Sequence, residues 1–155
     1  MVGRVARMGS GMTPSTLDLE ALRRSLAALD GAIGVVADRD WFDRQTPNVR
    51  ATLLAGVIQH FEFVYEISVK MIKRRVELDS ANPSEIDTLS FRDLLRVAAE
   101  TGIITDVGAW FAYRQLRNIT AHTYDQAKAL AIQAEIGGFS ETATALLARL
   151  EALNG

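Results

Sequence analysis

Two long apolar stripes at helical spacing restrict this chain more than any other feature. Leu19, Leu22, Leu26, Leu29, Ile33 and Val36 recur in steps of three and four, so a single side of an α-helix carries them all. Val49, Leu53, Val57, Phe61, Val64, Met71 and Val76 continue a second stripe behind Thr46-Pro47, a capping hydroxyl followed by proline at the first helical position. About 28 residues of helix at about 1.5 Å per residue span roughly 40 Å, which makes this segment the spine of the fold. Helices with one apolar side must bury it against partners, and no stretch alternates with period two for long enough to form a strand.

The remaining segments read as further helices. Ser15 or Thr16 can cap the first one, with Asp18 and Glu20 in its first turn. Residues 79–89, which include Pro83, read as a loop. Ser90-Phe91-Arg92-Asp93 resembles a capping box, the helix behind it carries Leu94, Leu95 and Ala98, and Gly102 is placed to end it. Asp106 caps a helix whose apolar side is Trp110, Phe111 or Tyr113, Leu116 and Ile119. A last helix runs from about Asp125 to Leu153, with an interruption or kink expected at Gly137-Gly138. The expected architecture is all-α, an up-and-down antiparallel helical bundle of four to five helices. Residues 1–14 read as a disordered N-terminal extension, and 15–155 as one bundle domain.

Composition narrows the function classes. With no cysteine among 155 residues, disulfides, thiolate metal sites and a cysteine nucleophile are excluded. The formal net charge of −2 argues against broad charge-driven coating of nucleic acid, though not against a local basic site. No apolar run approaches the ~20 residues of a membrane span, so a cytoplasmic location without membrane attachment is expected. There are two histidines, too few for a His-rich metal site, and neither lies in H-E-x-x-H; His60, mid-helix, reads as structural.

Chemistry concentrates in Arg114-Gln-Leu-Arg117-Asn118-Ile-Thr-Ala-His122-Thr-Tyr124-Asp125. An imidazole titrates near neutral pH and can give or take a proton. A guanidinium keeps its charge and presents a donor fork that matches a phosphate. RNA can be cleaved by its own 2′-hydroxyl given a base, an acid and positive charge on the phosphoryl oxygens, and His, Arg and Asn supply most of that set. On a regular helix the directions of Arg117 and His122 differ by roughly 140°, whereas Arg114, Asn118 and His122 share one side. A working site therefore needs a bent helix end, a second copy of the chain, or both; a twofold dimer places two histidines in one cleft. The plainer reading pairs Arg117 with a carboxylate of a neighbouring helix and makes His122 a C-terminal cap.

The segment Leu116-Arg117-Asn118-Ile-Thr-Ala-His122-Thr-Tyr124-Asp125 resembles the R-x-x-x-x-H signature of the HEPN superfamily. It is closest to the R-x-x-x-x-H-x-Y form found in nucleotidyltransferase substrate-binding-like proteins. Phe61-Glu62-Phe63-Val64-Tyr65-Glu66, Ser90-Phe91-Arg92-Asp93 with Gly102-Ile103-Ile104, and Trp110 match that group in order and approximate spacing. Val69 departs from it, standing where a tryptophan is frequent. The resemblance implies a HEPN-like bundle, a homodimer with the motifs at its interface, and metal-independent endoribonuclease activity. It assigns Arg117, His122 and Asn118 to catalysis, with no cofactor of the chain's own. It further implies a cognate minimal nucleotidyltransferase that acts as antitoxin, using ATP to transfer AMP to Tyr124, where added bulk and charge obstruct the RNA phosphate.

Arg114 and Lys128 are further candidates for binding substrate phosphate. Lys70, Lys73, Arg74 and Arg75 form either a solvated helix end or a phosphate track that Arg92 and Arg96 extend. Glu62 and Glu66, one turn apart, serve either an ordinary ion pair or the positioning of a motif arginine. Two other readings stand beside the nuclease: a non-catalytic subunit that binds nucleotide or substrate for the transferase, and a purely structural dimerisation module.

Overall fold

The computed structural model describes residues 16–120 and 126–155, without the side chains of 126 and 127. Among the described residues the order is α1 (Glu20–Ala37), α2 (Arg39–Asp43), α3 (Pro47–Asp79), a 3-10 turn (Pro83–Thr88), α4 (Phe91–Glu100), α5 (Val107–Thr120) and α6 (Gln126–Leu153). None of these helices is long and apolar enough to cross a membrane. Local chemistry sets several boundaries. Thr46 accepts a hydrogen bond from the Val49 N–H at 3.2 Å, Ser90 from Asp93 at 3.1 Å and Asp106 from Ala109 at 3.0 Å. At α1 the cap position is Leu19 and no side chain caps it, so Thr16 does not; Asp18, one residue ahead, accepts from the Glu20 N–H at 3.0 Å, and Ser15 lies outside the described residues. Gly102, at φ +81°, ends α4 in the left-handed conformation that glycine adopts without steric cost.

The long helices alternate in direction. The Leu17 N–H donates to Asn154 Oδ1 at 2.9 Å and Asn154 Nδ2 donates to the Leu17 carbonyl at 3.0 Å, clasping the start of α1 to the end of α6. Thr16, Leu17 and Asp18 share a surface groove with Arg74, Glu77 and Leu78, so α1 is also antiparallel to α3. Arg149, late in α6, donates through Nε to the Gly102 carbonyl just ahead of α5 at 2.7 Å, so α5 runs against α6. Thus α1, α3, α5 and α6 form an up-down-up-down bundle, and α4 packs on α3 and α5. Its centre is aromatic: the fully buried Phe139 meets Phe61 and Tyr113 edge-on, each with ring centroids 4.9 Å away, and Trp110 at 6.1 Å. This cluster fixes α5 against α3.

Several expectations are corrected. The spine extends to Asp79, 33 residues in all, and the expected loop beyond it contains a 3-10 turn. The helix is not interrupted at Gly137-Gly138: the flanking Ile136 and Phe139 are wholly buried, and their packing outweighs the ~1 kcal/mol propensity cost of each glycine. Val49 and Ile119, expected on apolar sides, are 40% and 53% exposed; α5 turns Leu116 and Thr120 inward instead.

Candidate functional site

The burial of Trp110 and Leu116 turns the last stretch of α5 onto the middle of α3. Two residues of that stretch, one turn apart, meet two carboxylates one turn apart on α3. Arg117 donates to Glu66 Oε2 through Nη2 at 2.7 Å and through Nε at 3.2 Å, and its Nη1 lies 3.7 Å from Glu62 Oε2. Thr120, which is buried, donates its hydroxyl to the same Glu62 oxygen at 2.6 Å, with the Arg117 carbonyl as a second acceptor at 2.9 Å. The hydrogen bonds it donates to Glu66 raise the Arg117 pKa further above its ordinary value, so the group stays cationic at every working pH. Its place in the last turn of α5 suits the helix dipole. Glu66 engages the Nε side of the fork, which leaves donor hydrogens of the terminal nitrogens for a further anion.

Tyr65 lies between these carboxylates in sequence and is almost wholly buried. Burial holds its phenol above the ordinary range, opposed by the positive charges of Arg114 and Arg117. Arg114 is exposed, with its guanidinium 4.5 Å from the centre of the Phe91 ring. Asn118 and Lys128 are exposed on α5 and α6. Arg114 and Arg117 stand about one turn apart on α5 with different partners, Phe91 for the first and Glu62 and Glu66 for the second; Lys128 has no ion pair among the described residues. His122 and Tyr124 lie outside the described residues. The basic cluster at the end of α3 is partly neutralised: Lys73 pairs with Asp87 at 2.9 Å and Arg75 with Asp79 at 2.8 Å, while Arg96 pairs with Asp93 at 3.0 Å.

Of the two roles open to Glu62 and Glu66, the contacts show them bound to an arginine of the motif. Thr120 and Tyr65 were not singled out by sequence. The available signal was the Glu-x-x-x-Glu spacing with Tyr65 inside it, which sets two carboxylates one turn apart on α3.

Known proteins resemble this chain along most of its length. Residues 17–152 match the family described as nucleotidyltransferase substrate binding protein like. A protein of Haemophilus influenzae named probable ribonuclease HepT is 44% identical over 143 residues, covering 92% of this chain and 98% of that protein. A solved H. influenzae structure, described as the fold of a substrate binding domain of a nucleotidyltransferase, superposes with a TM-score of 0.83 at 45% identity, over 86% of this chain and 99% of the other. The chain belongs to the HEPN-like family of nucleotidyltransferase substrate-binding proteins.

Proposed function

We propose that this chain is a metal-independent endoribonuclease of a toxin–antitoxin pair, working as a homodimer. Arg117 is the observation that carries the reading: a cation held by two carboxylates at the head of R-x-x-x-x-H, in a chain 44% identical to a probable ribonuclease. In the proposed chemistry the RNA 2′-hydroxyl attacks the adjacent phosphorus and loses its proton to a base. The P–O5′ bond breaks and O5′ takes a proton from an acid, leaving a 2′,3′-cyclic phosphate and a 5′-hydroxyl. Arg117 and Asn118 donate to the phosphoryl oxygens and His122 moves the proton. One imidazole cannot be acid and base together, so a second subunit supplies the other. Phe63, 60% exposed and one turn from Glu66, supports an apolar contact with that subunit.

Control falls to a cognate nucleotidyltransferase. The Tyr124 phenol loses its proton to a base and its oxygen attacks the α-phosphorus of ATP held by that partner; the new P–O bond forms as the bond from Pα to the bridging oxygen breaks, pyrophosphate departs, and the added phosphate occupies the place of the RNA phosphate. Purified, unmodified chain is expected to cleave RNA in the presence of a chelator, and Arg117→Ala and His122→Ala to abolish cleavage while unfolding at the wild-type temperature. Intact RNA with the wild-type chain defeats the reading. A mass increase by AMP with partner and ATP, blocked in Tyr124→Phe, tests the control step.

One observation favours a second reading. Both the family description and the solved relative speak of substrate binding for a nucleotidyltransferase, so the chain would hold nucleotide through Arg117, Asn118 and Lys128 without cleaving RNA. Calorimetry showing tight nucleotide binding by a chain inert toward RNA selects it.

A further inference from the structure

Four side chains of α4 and α5 stack in an alternating row on the bundle surface. The Arg92 guanidinium lies 4.8 Å from the centre of the Phe111 ring, Phe111 meets Phe91 edge-on with centroids 5.7 Å apart, and the Arg114 guanidinium lies 4.5 Å from the centre of Phe91. Both arginines are exposed and both rings half-buried, so the rings form a floor and the cations face water. Most other arginines with described partners are spent on carboxylates or backbone, as with Arg23, Arg24, Arg75, Arg96 and Arg149. Among the described residues, Arg92 and Arg114 have no carboxylate partner.

A guanidinium lying over a ring keeps its in-plane N–H donors available and loses much of its rotational freedom, so less entropy remains to be lost when it grips an anion. Arg114 continues this row toward the candidate site, since it stands three residues, about one helical turn, ahead of Arg117 on α5. We infer that Arg92, Phe111, Phe91 and Arg114 form a phosphate-gripping track for single-stranded RNA leading to Arg117. This rests on the ribonuclease reading for its ligand. An unpaired strand is the form that fits, because attack by a 2′-hydroxyl in line with the departing oxygen requires a ribose free of duplex geometry. The rings are covered by the arginines, so the track reads charge and not base identity.

The test is fluorescence anisotropy with a labelled 12-nucleotide oligouridylate and its duplex with oligoadenylate, over a salt series, using chain carrying His122→Ala so that the probe survives. The double variant Arg92→Ala/Arg114→Ala is expected to weaken single-strand binding about tenfold and to flatten the slope of log affinity against log salt by about 1.4, some 0.7 for each phosphate no longer gripped. Phe111→Leu, which keeps every charge, is expected to weaken binding about threefold. Arg24→Ala, paired with Glu20 on α1, is expected to change neither quantity. Unchanged affinity and slope in the double variant overturn the track, as does equal preference for the duplex. Loss of binding to a purified nucleotidyltransferase with RNA affinity intact overturns it in favour of a protein-docking surface. Track-dependent binding of RNA that the unsubstituted chain leaves uncut defeats the nuclease reading and leaves the track standing.

Discussion

Replacing Glu62 by alanine probes the join between α3 and the end of α5. The change removes the acceptor 2.6 Å from the Thr120 hydroxyl and a carboxylate oxygen 3.7 Å from Arg117 Nη1. A hydrogen bond to a charged group contributes about 1.5–3 kcal/mol. Thr120 retains the Arg117 carbonyl at 2.9 Å, so its buried hydroxyl is not orphaned and the loss falls toward the lower limit. The ion pair adds little: both side chains are about a quarter exposed, at 24% and 28%, and Arg117 keeps Glu66. The net expectation is about 1.5 kcal/mol, and about half of that for Glu62→Gln, whose amide oxygen still accepts from Thr120. With a urea slope of about 2 kcal/mol per molar, Glu62→Ala lowers the midpoint by about 0.7 M at unchanged slope. A shift below about 0.2 M refutes the idea that this carboxylate fastens α5. A shift above about 2 M shows that Thr120 has no working second acceptor.

Phe139→Ala, which empties the centre of the aromatic cluster, is expected to cost roughly 3–5 kcal/mol by the same titration; a loss under about 1.5 kcal/mol contradicts the close packing described. The Ser68 hydroxyl is fully buried with no hydrogen-bond partner among the described residues, so Ser68→Ala is expected to stabilise by up to about 1 kcal/mol in thermal unfolding. Tyr65 titrates above the ordinary phenol value of 10.0 because burial disfavours its phenolate. A raised folded-state pKa means that its contribution is fully present below about pH 10 and is lost as pH rises through the higher folded value. Absorbance at the tyrosinate band is expected to show one late-titrating group that Tyr65→Phe removes.

Features governed by neighbours in sequence were readable from the sequence. The caps at Thr46, Ser90 and Asp106 need only a side-chain oxygen three residues before an N–H, and the stop at Gly102 needs only a missing Cβ. The continuity of α6 through two glycines was not readable, since it depends on Ile136 and Phe139 meeting helices elsewhere in the chain. At five residues α2 is too short for periodicity to reveal. The site divides in the same way. Arg117 stood out as a charged group on a helix that must also bury Trp110, but its bond to Glu66 spans 51 residues and that of Thr120 to Glu62 spans 58. Pairings at that range follow from how α5 lies on α3, which the apolar pattern restricts without selecting one register.

The reciprocal bonds between Leu17 and Asn154 join positions 137 apart in sequence, and the Arg23–Glu151 pair reinforces them one turn further in. A short glycine-containing tether from residue 155 to residue 16 therefore closes the chain without crossing any helix. Reopening it in the exposed stretch at 81–82 gives a circular permutant that runs α4, α5, α6, α1, α2, α3 and breaks none of the bonds of Arg117. The same adjacency means that a reporter joined directly ahead of residue 16 or behind residue 155 emerges from one pole of the bundle, the pole where α3 ends.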